Sequence, residues 1–272
     1  MKKINTLIVI LIAAELIFLA IIFFDFSPGD AVRVNWEKGG AAKYNRLSSV
    51  PVLLYHNIVE DHVTPKSPFA IKRGTLVRHF KILQERGIEV IPLAALAGGG
   101  GDEQNFSGGR SVVITFDDDY LSMYRILLPV AEEFNYPLTL FVYTDGISRA
   151  GRGGLDWAML REMERNGIDI QGHSISHSDL TGVSLNEGKK LYEEFVLSKR
   201  IIEQNLNKRV RYFAFPYGRY SLELLEMARS AGYDKVFSTD YGPNIITRDN
   251  FCLRRHHIKN SYSEDFFISI VE

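Results

Sequence analysis

Ser111-Val112-Val113-Ile114-Thr115-Phe116-Asp117-Asp118-Asp119 is the stretch on which the fold turns. Its first six residues are mostly apolar and β-branched, which reads as a buried strand. Three adjacent carboxylates then close it. Such neighbours repel one another, and folding them together is costly unless a cation or hydrogen bonds compensate. A solvated acidic turn is the plainer alternative. In α/β folds with parallel sheets, catalytic groups collect at the C-terminal ends of strands.

Working outward, the same alternation recurs. Val50–Tyr55 predicts a strand with His56 just past its end. Leu76–Arg86 predicts a helix ended by Gly87, and Ile88–Ile91 a short strand. Gly98–Gly109 is glycine-rich but lacks the Lys-Ser/Thr ending of a phosphate loop. Helices are expected over Tyr124–Phe134, Trp157–Asn166 (with Asp156 as cap), Leu185–Asn205 and Leu222–Ser230. Strands are expected over Leu138–Tyr143, Ile168–Ile170, Val210–Phe215 and Val236–Ser238. This pattern implies an α/β domain with a mainly parallel sheet. Four strand ends carry the reactive side chains: His56, Asp117–Asp119, His173–His177 and Pro216-Tyr217.

The 272-residue chain is 46% hydrophobic, enough for a full core. With 32 basic against 33 acidic residues it lacks the excess positive charge of a dedicated nucleic-acid binder. The lone Cys252 rules out an intrachain disulfide and any cysteine-built metal site. A metal would have to rest on histidines and carboxylates, which suits a catalytic site.

Lys2-Lys3 precedes an apolar run over Leu7–Phe24, interrupted only by Glu15. Its length approaches that of a spanning helix, and the leading lysines favour a cytoplasmic N-terminus. We expect a signal anchor over residues 1–29, a linker over 30–47 and a catalytic domain over 48–272. The domain would then lie outside the cytoplasm, held at the cell membrane, or be secreted if the segment is cleaved.

His173 and His177 stand four apart in Gly172-His173-Ser174-Ile175-Ser176-His177. On one helical turn both rings reach the same side. The pair lacks the glutamate of the His-Glu-x-x-His motif, so a base must come from elsewhere. The acidic triplet can supply both a third ligand and that base, leaving coordination open for water.

Thr115-Phe116-Asp117-Asp118, His173–His177 and Phe215-Pro216-Tyr217-Gly218 resemble, in order and spacing, the three motifs of NodB-type polysaccharide deacetylases, carbohydrate esterase family 4. The resemblance implies a distorted (β/α)7 barrel, here preceded by a transmembrane helix, and metal-dependent removal of acetyl from N-acetylated sugars. It implies Asp117 as general base and Asp118, His173 and His177 as metal ligands. Zinc fits them best; cobalt, nickel, iron or manganese could substitute. Tyr217 would contribute its backbone amide to the oxyanion and its ring to the sugar groove. Trp157 is either a stacking platform for a sugar or a core anchor.

Leu54-Tyr55-His56-Asn57 is similar to the N-terminal Tyr-His motif of the poly-β-1,6-N-acetylglucosamine deacetylase subfamily, which implies His56 as general acid. His256 and His257 are weaker candidates. Two departures stand out. Asp119 replaces the usual glycine, where it would have to tolerate a left-handed turn or would add charge to the site. Ala214 replaces the usual base-orienting arginine, a loss shared with that subfamily; Arg255, or alternatively Arg211, would fill the role. The expected partners are an acetylated glycan polymer, the membrane and an exopolysaccharide synthase complex. Competing readings are a deacetylase of peptidoglycan or chitin-like glycans, and a catalytically silent glycan-binding module.

Overall fold

Short apolar strands flanked by helices build one curled nine-stranded sheet and a separate two-stranded one. The computed structural model describes residues 50–97, 110–147, 154–183, 187–242, 244 and 250–272. The expected anchor and linker, the glycine-rich stretch over 98–109 and residues 148–153 lie outside the described residues. Among the described residues no helix is long and apolar enough to cross a membrane.

The strands are β1 (Val52–Tyr55), β2 (Ile58–Val59), β3 (Ile71–Lys72), β4 (Glu89–Val90), β5 (Ser111–Asp117), β6 (Leu138–Val142), β7 (Ile168–Gly172), β8 (Tyr212–Ala214), β9 (Lys235–Phe237), β10 (Cys252–Leu253) and β11 (His256–His257). The main sheet runs β10-β9-β8-β7-β6-β5-β1-β11, with β4 beside β5. All its pairings are parallel. β10 and β11 are two halves of one extended segment, separated only by Arg254-Arg255. The first half pairs with β9 and the second with β1, at opposite ends of the strand order. The sheet therefore curls until a single segment touches both of its edges. Short apolar strands do not reveal this from sequence, because the pairing is wholly non-local.

Side chains alternate between two cores, as the pleat requires. Leu53, Ile114, Phe116, Leu138, Leu140, Ile168 and Ile170 point out against the helices. Val52, Val113, Phe141, Tyr212, Phe237 and Leu253 point in and fill the sheet's concave side. The helices sit close to where the pattern placed them: Arg73–Glu85, Leu128–Phe134, Trp157–Arg165, Ser198–Leu206 and Leu222–Ser230. Asp156 caps the third, its side chain accepting from the Met159 amide at 2.8 Å. One helix is wound wide at its N-terminal side, over Met123–Leu127, and another in its middle, over Glu193–Leu197, between Gly188–Tyr192 and Ser198–Leu206. A C-terminal helix, Glu264–Val271, capped by Ser263, was not expected.

Candidate active site

Strand alternation decides which reactive groups meet. Asp117 has the same parity along β5 as the inward Val113. His173 continues the inward parity of β7, His56 that of Val52, and Arg255 that of Leu253. All four therefore arrive at the C-terminal mouth of the curled sheet from its concave side.

One carboxylate and two imidazoles form a cradle there. Asp118, His173 and His177 each offer a ligand atom, and these atoms all lie within 4.8 Å of one another. His173 Nε2 is 3.9 Å and His177 Nε2 is 3.1 Å from Asp118 Oδ1. The His177 contact is an ion-pair approach, and this buried oxygen has no other partner among the described residues. His173 Nδ1 lies 2.8 Å from the Ala214 carbonyl, which fixes the proton on Nδ1 and turns the Nε2 lone pair toward the cradle. Burial lowers the His173 pKa and keeps the ring neutral, as a ligand must be. Burial pushes the Asp118 carboxyl up, but His177 and His173 outweigh it and hold the group below its usual value. An orphaned carboxylate oxygen facing two imidazole nitrogens fits a divalent metal of the zinc type, with coordination left over for water.

Asp117 is held differently. Arg255 Nη1 donates to its Oδ1 at 2.6 Å and Nη2 to its Oδ2 at 2.8 Å. Both residues are nearly inaccessible, at 2% and 1% exposure. Burial alone would raise the Asp117 carboxyl, but the guanidinium charge and hydrogen bonds hold it well below the usual carboxylate range. Arg255 also donates to the Ser238 carbonyl at 3.2 Å, tying the mouth together. The alternative arginine, Arg211, ion-pairs with Asp234 instead.

The backbone is strained at the same place. The non-glycine residues with positive φ among the described residues include Asp118, Ser174, His177 and Tyr217, all in the site. The other two, Asn135 and Asn207, end helices. Each strained residue costs on the order of 1–3 kcal/mol and persists only where surrounding contacts enforce it. Here one enforcing contact comes from Glu194, on the wide turn over Glu193–Leu197. Its buried carboxylate accepts from the Ile175 amide at 2.8 Å, the Ser176 amide at 3.1 Å and the Ser176 hydroxyl at 2.6 Å. Glu194 thus stitches the loop between the two histidines. Sequence reading missed it, because one acid in a helix of mixed charge carries no signal.

The remaining candidates separate. His56 lies at the mouth, its ring centroid 5.2 Å from His257 and 5.5 Å from Phe69. Its Nδ1 is buried without a partner among the described residues. Burial lowers its pKa, with Asp117 and Asp118 opposing. Tyr217 is exposed, and its ring stands edge-on to His177 at 4.9 Å. His256 faces Tyr241. Trp157 is half-buried and packs against the outer core at the start of its helix. The expectation of a left-handed turn at Asp119 is corrected. The left-handed turn falls on Asp118, at φ 81°, so position 119 does not need glycine's freedom.

Residues 105–236 match the family model described as Polysaccharide deacetylase. The chain carries a polysaccharide deacetylase domain. The matched stretch holds Asp117, Asp118, His173, His177 and Tyr217, while His56 and Arg255 fall outside it. A protein named "Putative polysaccharide deacetylase YxkH", from Bacillus subtilis (strain 168), is 26% identical over 233 residues, 85% of this chain and 78% of that protein. The poly-beta-1,6-N-acetyl-D-glucosamine N-deacetylase of Staphylococcus aureus (strain MSSA476) is 27% identical over 164 residues, 52% of this chain and 56% of that one. The fold is shared with Streptococcus pyogenes deacetylase PplD, solved in complex with acetate, at a TM-score of 0.73 and 21% identity over 82% of this chain and 98% of that chain. The matched stretch thus sits on a curled parallel α/β sheet whose fold PplD shares.

Proposed function

We propose that this protein removes acetyl groups from the N-acetylglucosamine units of poly-β-1,6-N-acetylglucosamine, leaving free amines on the polymer, with a divalent metal held by Asp118, His173 and His177. The observation that carries the reading is the buried, arginine-held Asp117 beside a cradle of two imidazoles and a carboxylate. A metal in that cradle would act as a Lewis acid, acidifying water and polarising the acetyl carbonyl. Asp117 accepts the proton of the water that attacks the acetamide carbon. Arg255 keeps that carboxylate ionised and fixes its direction. The Tyr217 amide, on its left-handed turn, donates to the developing oxyanion. The C–N bond then breaks, and His56 delivers a proton to the departing nitrogen. Acetate and a glucosamine unit are the products.

The β-1,6 polymer is favoured by two features of the resemblance: His56 in its Tyr-His pair, and an arginine that reaches the base from outside the third motif. The staphylococcal relative supports the same substrate. The apolar run over Leu7–Phe24 places the domain, in this reading, outside the cell at the membrane. There it would meet an exported glycan beside its synthase.

The test is acetate release by the full chain in detergent, supplied with zinc and acetylated β-1,6-glucosamine oligomers, against a chelated sample and Asp117→Asn. Metal-dependent release lost in the variant is the expected result. No release from these oligomers, but release from peptidoglycan or chitin fragments, would overturn the substrate. No release from any of them by zinc-loaded protein would leave a glycan-binding module.

A further inference from the structure

We infer that Asp119 is a positioning residue for the His177 imidazole and acts on it through Tyr143. The inference rests on the proposed role of His177 as a metal ligand. The two histidines of the cradle are held in different ways. His173 is fixed by the bond between its Nδ1 and the Ala214 carbonyl at 2.8 Å. Among the described residues no side-chain hydrogen bond holds the Nδ1 of His177. Beyond the approach of its Nε2 to Asp118, its ring is set by three neighbouring rings: Tyr217 at 4.9 Å, His173 at 5.0 Å and Tyr143 at 5.2 Å. Tyr217 is 58% exposed and is a weak brace by itself. Tyr143 is half-buried at the end of β6, and it is the one whose far end is anchored.

That anchor is the Asp119 carboxylate: the same Cβ position on Gly146 would touch both Asp119 Oδ2 and Tyr143 Cε2, so the carboxylate adjoins the ring's hydroxyl-bearing edge. The carboxylate in turn occupies a slot made for it. A Cβ on Gly146 would come within 2.2 Å of Asp119 Oδ2 and 2.7 Å of Tyr143 Cε2. A Cβ on Gly154 would come within 2.8 Å of the same oxygen. A side chain at either position would force the carboxylate to shift. The Asp119 backbone is clamped as well: its carbonyl accepts from the Leu155 amide at 3.0 Å, and the adjoining Tyr120 bridges to Gly154. Three segments therefore converge on one carboxylate, which reaches the His177 ring through a single tyrosine. Asp119 is thus packed as a strut and does not stand free as a third charge of an acidic turn.

The experiment measures zinc affinity of the full chain in detergent by competition with a chromophoric chelator, with acetate release read in parallel. Asp119→Ala and Tyr143→Phe should each weaken zinc binding on the order of 10-fold, the lower range for groups that orient metal ligands. Asp119→Asn should retain most of the affinity, since its amide oxygen still accepts from the tyrosine. The double variant Asp119→Ala/Tyr143→Phe should be no weaker than either single one, because both break the same path. Gly146→Ala should reproduce Asp119→Ala with the carboxylate still present. If Asp119→Ala fails to fold, Tyr143→Phe removes one oxygen only and carries the test. Wild-type affinity in Tyr143→Phe, with His177→Ala weakened, would overturn the inference and leave the proposed function standing. A wild-type chain that binds no zinc would overturn the metal reading itself.

Discussion

Arg255→Met separates what the arginine does for stability from what it does for Asp117. The variant keeps a long buried side chain but removes two charge-assisted hydrogen bonds, at 2.6 and 2.8 Å, from a carboxylate that is 2% exposed. Breaking a buried pair from one side costs about 3–5 kcal/mol, because the partner is left charged in a poor medium. For a domain of this size that is a fall in Tm on the order of 10 °C. The pH dependence carries the sharper test. In the wild type Asp117 is held below its unfolded value, so its stabilisation is present above the ordinary carboxylate pKa and is lost as pH falls through the folded one. Without the guanidinium, burial dominates and raises the carboxyl. The deficit of Arg255→Met should therefore be largest at neutral pH and shrink in acid, where the variant's Asp117 becomes protonated and no longer leaves an unpaired buried charge. Urea unfolding between pH 4 and pH 8 measures this, and the acid limb of acetate release should move to higher pH in step. A deficit below about 1 kcal/mol that does not vary with pH would refute the argument, since no buried carboxylate would then depend on Arg255.

Zinc at 100 times its Kd should stabilise the wild-type fold by about 2.7 kcal/mol in thermal unfolding, and His173→Ala should abolish the increment. His56→Ala should slow release from acetamides by roughly 10²–10⁴-fold, yet barely affect an aryl acetate, whose leaving phenolate needs no proton; equal losses on both would remove His56 as the acid. Glu194→Ala strands the Ile175 and Ser176 amides and should cost about 2–4 kcal/mol together with zinc affinity, measured by unfolding and chelator competition. His79 is buried against Phe267, with its pKa lowered to about 4 by that burial. The unfolded chain therefore binds more protons between about pH 6.5 and 4, and stability should fall by up to about 3 kcal/mol across that window. His79→Phe should flatten the slope.

The sequence carried the chemistry and the order of elements. Alternating apolar strands and amphipathic helices specify a parallel α/β sheet by local periodicity alone, and Asp117, Asp118, His173 and His177 stand out because each follows a strand or a tight turn. The second departure, Ala214 in place of an arginine, left Arg255 and Arg211 as the candidate substitutes. What sequence could not decide was placement across the sheet. Segment 252–257 is two residues of strand, two arginines and two more residues of strand, too short for any periodic signal. Only the curl of the sheet, which brings β9 and β1 within reach of one segment, sends Arg255 inward onto Asp117. The same holds for Trp157, whose helix turns it to the core, and for Glu194, which a wide helical turn carries onto the histidine loop. Asp119 shows the limit most directly. Its neighbour in sequence, Asp118, took the left-handed turn, and its real partners lie 24, 27 and 35 positions away at Tyr143, Gly146 and Gly154. Local periodicity fixes which face of a strand a residue occupies; long-range packing alone fixes what stands opposite it.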